Sequence, residues 1–177
     1  GKAIQAAGGY SFASCSDEAV EENLVPLYDY DVVDYLLGLE KQDEQPLPSL
    51  NRYYRTFSTP MQRALSSYLT IGGRLLVSGA YVASDMQQSE NNRRFLGDIL
   101  KCGYAGTATT PERYFRVQGM NREGLLQRLP NATCYPLPKR DRLLPLHDRF
   151  AAMTYRDATP AAVAYRGAEY RTFVMGF

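Results

Sequence analysis

The stretch Tyr30-Asp31-Val32-Val33-Asp34-Tyr35-Leu36-Leu37-Gly38 is followed, after a polar interruption, by Ser58-Thr59-Pro60-Met61 and then by Ile71-Gly72-Gly73-Arg74-Leu75-Leu76-Val77-Ser78-Gly79. Together these segments decide the fold. Tyr30 to Leu37 is rich in β-branched and aromatic residues and ends at a glycine, which predicts a buried strand with charged residues at its ends. Ser58 is a natural N-cap with Pro60 in the first turn, and Met61, Ala64, Leu65, Tyr68 and Leu69 recur at helical spacing. Gly72-Gly73 closes that helix, and Arg74 to Gly79 follows at once as a short apolar strand. Strand, loop, helix, glycines, strand is the order of a β-α-β crossover, whose strands run parallel with the helix laid on the sheet.

Outward from this unit the signals weaken. On the N-terminal side, Lys2 to Ala7 predicts a short helix ended by Gly8-Gly9, Tyr10 to Cys15 alternates as a strand does, and Ser16-Asp17-Glu18 offers a capped helical start. Lys41 to Asn51 is polar and reads as a surface loop. On the C-terminal side, Asn92 is placed to cap a helix carrying Phe95, Leu96, Ile99 and Leu100, with Gly103 at its end. Beyond Gly106 come short patches such as Tyr114 to Val117, and the prolines between Asn131 and Pro145 exclude a long helix there. Ala161 to Tyr165 and Tyr170 to Met175, joined by Arg166 to Glu169, predict a closing hairpin. The expectation is one α/β domain over residues 1–177, with a loop-rich C-terminal half ending in a β-hairpin.

The totals remove several function classes. Twenty Lys and Arg against nineteen Asp and Glu leave a net charge of +1, so no global field draws the chain to nucleic acid. No run is long enough to cross a membrane. The three cysteines, Cys15, Cys102 and Cys134, form no CxxC pair, which speaks against a disulfide scaffold and a zinc ribbon. Asp29, Asp31 and Asp34 flank a strand as solvated ends do, and Gly72-Gly73 lacks the Lys-Ser/Thr of a phosphate loop, so neither metal nor cofactor is expected. The fourteen tyrosines suit a core edge as well as a binding face.

Three segments, the Tyr30 to Asp34 strand, the helix end and strand from Tyr68 to Gly79, and the closing Tyr170 to Phe177, resemble the class I glutamine amidotransferase-like domains. Within these, the chain is similar to the domain of large Bacteroidetes proteins labelled xanthan lyase. The resemblance implies a flavodoxin-like three-layer sandwich with a mostly parallel sheet, a first strand ahead of the opening helix, and an extracytoplasmic place within a larger parent protein. The start at Gly1-Lys2, without methionine, fits such a fragment. Partners are then the parent's other domains and, as an alternative, carbohydrate. In such sheets ligands bind beyond the carboxyl ends of the strands, here the loops after Cys15, Leu37 and Gly79.

An active amidotransferase of this kind needs a cysteine on a strand-to-helix turn, a histidine to deprotonate it, and a carboxylate to orient the histidine. The turn in question is Ser78-Gly79-Ala80-Tyr81-Val82-Ala83-Ser84-Asp85, and it holds no cysteine. Its candidate ligand-facing residues are Ser78, Gly79, Ala80, Tyr81, Ser84 and Asp85. Ser78 or Ser84 as replacement nucleophiles would need a base even more than a cysteine does. Weaker candidates are Cys15, at a strand end on the ligand edge, and His147, the one histidine, whose neighbour Asp148 would point elsewhere. Cys102, beside a helix end, has a dipole working against its thiolate, and Cys134 has no histidine nearby in sequence. The reading is therefore a binding or structural module with a degenerate site, set against a hydrolase or lyase working on polysaccharide or amide through the same loops. On the first reading, His147→Ala leaves ligand binding unchanged; a purified protein whose activity disappears with that substitution overturns it.

Overall fold

Ser58 starts the helix around which the sheet assembles. Its hydroxyl oxygen accepts the Met61 amide at 3.1 Å and its hydroxyl donates to Glu21, so one side chain caps α3 (Thr59–Thr70) and ties it to α2 (Asp17–Glu21). The computed structural model describes residues 2–42, 55–108, 116–117, 139–146, 150–155 and 157–177. Along α3, Met61, Leu65, Tyr68 and Leu69 are all buried, the helical stripe expected from their spacing. At its end the Gly72 amide bonds to Leu69 O at 3.0 Å and the Gly73 amide to Tyr68 O at 3.1 Å, with Gly72 at φ +97°. That left-handed residue is what lets the chain reverse directly into β2 (Arg74–Gly79).

β1 (Val33–Gly38) pairs in parallel with β2, Val33 opposite Leu75 and Tyr35 opposite Val77, so the crossover read from the sequence is present. Leu37, Leu75, Val77, Val163 and Val174 form one core with the α3 stripe and with Phe95, Leu96 and Leu100. Tyr68 fastens the helix end: its hydroxyl accepts the Arg74 amide at 3.1 Å and donates to the Tyr30 carbonyl at 3.1 Å.

The remaining strands are β3 (Cys102–Ala108), β4 (Arg116–Val117), β5 (Arg140–Pro145), β6 (Phe150–Thr154), β7 (Pro160–Arg166) and β8 (Arg171–Met175). Six strands make one sheet in the order β1-β2-β8-β7-β6-β4, and β3 pairs with β5 in a separate antiparallel ladder. β2 and β8 are parallel, whereas β8-β7, β7-β6 and β6-β4 are antiparallel; β1, β2, β8 and β6 thus run one way and β7 and β4 the other. The closing hairpin is β7-β8, with the Gly167 amide bonded to Tyr170 O at 3.0 Å. A second cluster, with Ala152, Met153, Tyr155, Ala162 and Ala164 buried, has Phe173, Met175 and Phe177 at its half-buried rim.

Five local expectations need correction. Tyr10 to Cys15 is not a strand: among the described residues no ladder takes it up, and Tyr10 is 72% exposed. Alternation alone cannot make a strand without a neighbour to hydrogen-bond. The first strand starts at Val33 and not at Tyr30: Leu27–Asp29 forms a 3₁₀ turn, closed by the Tyr30 amide donating to Leu27 O at 3.1 Å. Ser89, not Asn92, caps α4 (Glu90–Arg94): its oxygen accepts the Asn92 amide at 3.1 Å, while Asn92 itself accepts Gln62 Nε2 at 3.1 Å. The helix continues as a π-turn over Phe95–Ile99 and stops at Lys101, φ +63°, so Gly103 lies inside β3 and Cys102 is a strand residue. Ser16 does precede α2, but its side chain makes no cap bond.

A Cβ added at Gly73 would lie 2.5 Å from the Tyr68 ring and 2.6 Å from the Tyr68 carbonyl oxygen. Gly73→Ala is therefore expected to lower unfolding free energy by about 1–3 kcal/mol, as forced overpacking does. Urea denaturation checks this; an unchanged midpoint would show that the α3–β2 junction yields freely.

Candidate functional site

The loops after β1 and β2 lie side by side. Gly38, at φ +58°, ends β1, and its carbonyl accepts the Ala80 amide at 2.8 Å. A Cβ on Gly79 would stand 2.7 Å from Leu37 Cβ, so the glycine permits the close approach of the two strand ends. Ser78 is half-buried within β2, opposite Leu36 on one side and Met175 on the other. Gly79 and Ala80 are buried, while Tyr81, Ser84 and Asp85 are half-buried. Of the six predicted ligand-facing residues, four are thus half-buried and two are buried.

The turn is held by a residue more than fifty positions away in sequence. Asp141, on β5 and 1% exposed, directs Oδ2 to the Ala83 amide and the Ser84 amide, each at 2.7 Å. Its backbone is engaged as well: its N–H donates to Gly176 O at 3.0 Å and its carbonyl accepts the Tyr155 hydroxyl at 2.9 Å. A pair of backbone amides on a turn is what an oxyanion requires, and here an internal carboxylate occupies it. Burial raises the Asp141 pKa to about 6; the Ser84 and Ala83 bonds pull it down in part, and the Asp85 charge pushes it up.

Asp85 is similarly committed. Its Oδ1 accepts the Gln42 amide at 2.9 Å, and its Oδ2 accepts the Thr56 amide at 3.2 Å and the Thr56 hydroxyl at 2.8 Å. It therefore joins the segment before α3 to the loop after β1. Beside it, Glu40 is pushed up to about 7, first by burial and then by the charges of Asp17, Asp85, Glu18 and Glu21. Tyr35 donates its hydroxyl to Thr56 O at 3.0 Å, and burial, then Glu40, raises its pKa. Lys41 Nζ stands 5.8 Å from the centroid of the Tyr81 ring, a cation over an aromatic face.

The other candidates do not join this group. Cys15 is an exposed free thiol at the end of the unpaired segment, so it does not end a strand. Cys102, first residue of β3 just past the π-turn, is buried, and its thiol is raised by burial, then by Asp141. His147 and Cys134 lie outside the described residues. Among the described residues no group of His, Cys, Asp and Glu is arranged to hold a metal ion, and no helix is long and apolar enough to cross a membrane. A groove of about 450 Å³ lies elsewhere, between α3 and the π-turn, lined by Gln62, Arg63, Ser66, Arg94, Phe95 and Asp98 among others. Arg94 there is already drawn to Glu90, at 2.6 Å.

Nothing in the linear order singles out Glu40, Thr56 or Asp141. Asp141 sits in Arg140-Asp141-Arg142, which reads as a solvated charge run, yet both Arg140 and Asp141 are buried. Only the approach of β5 to the turn after β2 shows its role.

No protein-family model matches the chain, and no curated protein matches it significantly. Among solved structures it is similar to Gan42B, a GH42 β-galactosidase, with a TM-score of 0.52 and 12% identity over 88% of this chain and 20% of that one. A catalytic mutant of Gan42B from G. stearothermophilus aligns with a TM-score of 0.50 and 12% identity, over 85% of this chain and 19% of that one. A looser likeness, TM-score 0.42 and 16% identity, is to the exo-β-1,4-mannosidase Op5Man5 from Opitutaceae bacterium strain TAV5, over 68% of this chain and 19% of that one. The chain thus spans about a fifth of the length of these structures. What is shared at these identities is an α/β fold.

A carboxyl whose folded pKa lies above its unfolded value stabilises the native state most below the unfolded pKa, and that stability is lost as pH rises through the folded value. For Asp141 the window runs from its ordinary 3.8 to about 6. Asp141→Asn keeps an acceptor oxygen without the titration, so the melting temperature of the variant should fall less between pH 5 and pH 7.5 than that of the wild type. Thermal melts across that range check the sign; parallel pH profiles for the two proteins would remove Asp141 as the cause.

Proposed function

We propose that the chain is a non-catalytic binding or structural module, an amidotransferase-like domain of flavodoxin-like type whose site is degenerate, working within a larger extracytoplasmic protein. The observation that carries this reading is the engagement of the Ala83 and Ser84 amides by the buried Asp141 carboxylate. A substrate oxyanion would have to displace an anion held inside the protein at two short bonds, and Asp85 is likewise consumed by Thr56 and Gln42. The absence of cysteine from the Ser78 to Asp85 turn supports the same reading, as does a fold that makes up about a fifth of much longer glycosidase chains. The parent protein's remaining domains are the expected partners.

A second reading, hydrolysis of a glycosidic bond, draws on Glu40. A half-buried carboxyl with a pKa of about 7 suits a general acid, and Asp85 lies close enough to help raise it. The glycosidase structures that share the fold are consistent with carbohydrate as a ligand class.

A panel of amide, ester and glycan substrates separates the two. The module reading expects no turnover above buffer, and a glycan cleaved by the wild type but not by Glu40→Gln would replace it with the second. Asp141→Ala would leave two amides in a buried turn without their acceptor, at a cost of about 1–3 kcal/mol for each group. Its unfolding midpoint should drop accordingly, while a midpoint equal to that of Asp141→Asn would show the amides finding water instead.

A further inference from the structure

β1 closes one side of the six-stranded sheet and has a ladder only with β2. An edge strand turns about half of its backbone N–H and C=O groups away from its one neighbour. Outside the β1–β2 ladder, and among the described residues, the backbone of Val33 to Leu37 makes one bond, Leu37 O accepting the Glu40 amide at 2.9 Å. Soluble proteins blunt such edges by shortening or bulging them, or by placing proline or lysine on them. β1 has six residues with neither proline nor lysine, and its one irregularity lies at its end, between Leu36 and Gly38.

Apolar surface gathers around the same strand. Among the described residues ten large hydrophobic side chains are exposed, and eight of them lie between Tyr10 and Leu39, in β1 and the segments beside it in sequence. Only Ile71 and Leu144 lie elsewhere. Val33, Tyr35 and Leu37 pack on the core beneath α3, so the alternate row of Val32, Asp34 and Leu36 faces the other way. In that row Val32 is 56% exposed and Leu36 71%, with exposed Asp34 as the charge between them. On the α3 side the helical layer is wider than α3 alone: α2 is tied to it by Ser58, and Val20 and Leu27 pack on the same core.

We propose that β1 is an augmentation edge, which pairs with an extended segment of another protein carrying alternate apolar residues and a single Lys or Arg opposite Asp34. Open backbone groups select a strand, since a helix has already spent its own in internal bonds. Val32 and Leu36 select apolar side chains at alternate positions, and Asp34 between them selects a cation. A second copy paired through this edge would set the exposed Asp29, Asp31 and Asp34 against their own counterparts. The edge lies apart from the turn held by Asp141, and the inference does not depend on whether that turn binds a ligand.

The probe is a fluorescein-labelled peptide of about ten residues, alternating valine and alanine with one lysine among the valines. It is titrated against the 177-residue chain by anisotropy. Saturable binding is expected. N-methylating one alternate set of peptide amides should weaken it roughly tenfold or more, and methylating the other set should leave it within about twofold. Leu36→Lys should weaken binding, and the loss in Asp34→Lys should be restored by a peptide with glutamate in place of its lysine. Arg63→Glu, an exposed change on α3, should bind as the wild type does. Circular dichroism and the thermal midpoint should be unaltered in these variants, since every altered side chain is exposed. The proposal is overturned by equal loss from both methylated sets, by full affinity in Leu36→Lys, by equal loss in Arg63→Glu, or by no saturable binding. Sedimentation showing self-association of the wild type that Leu36→Lys abolishes would overturn it in favour of a second copy.

Discussion

Met61, Leu65, Tyr68 and Leu69 leave water against Leu37, Leu75, Val77 and Val174, and the other elements are arranged around that contact. Each such side chain contributes roughly 1.5–3 kcal/mol when fully buried. No other described helix presents a stripe of comparable length, since Lys2–Ala7, α2 and α4 have five or six residues each. Because β1 and β2 are parallel, the helix between them has to cross over the sheet, and this fixes which side of β2 and β8 is dry. The π-turn after α4 completes that layer, with Thr172 Oγ1 donating to Leu100 O at 3.2 Å across the interface.

The loops at the carboxyl ends of β1 and β2 inherit their positions from this packing. Gly38 and Gly79 bring the strand ends together, and the polar groups of the loops are then consumed internally: Asp85 by Thr56 and Gln42, the Ala83 and Ser84 amides by Asp141. Buried donors and acceptors that are paired in this way rigidify a turn. The arrangement builds a place where ligand chemistry occurs in comparable α/β sheets and fills it from within.

Raised carboxyl pKa values recur around these loops and share burial as their first cause. Glu40, Asp141 and Asp17 each lose hydration, and each also feels other acidic groups, with Glu40 facing Asp17, Asp85, Glu18 and Glu21 together. Asp157 shows the contrast: it is exposed, accepts from Thr159 and pairs with Arg142 at 2.7 Å, and its carboxyl is lowered.

The crossover, its helix cap at Ser58, the turn at Gly72-Gly73 and the closing hairpin were all legible in the sequence, because each depends on residues within a few positions of one another. Periodicity, capping and left-handed glycines are local signals. Tyr10 to Cys15 misled for the same reason in reverse: its alternation is local, but a strand exists only where a neighbouring backbone bonds to it. The antiparallel continuation β7-β6-β4, the β3-β5 ladder and the Asp141 bridge depend on which segments meet, and pairs such as Ser84 with Asp141 lie 57 residues apart. Sequence alone determined where the chain turns and which helix face is dry; tertiary structure decided which charges are buried and which amides are taken, because those are properties of neighbours that the linear order does not name.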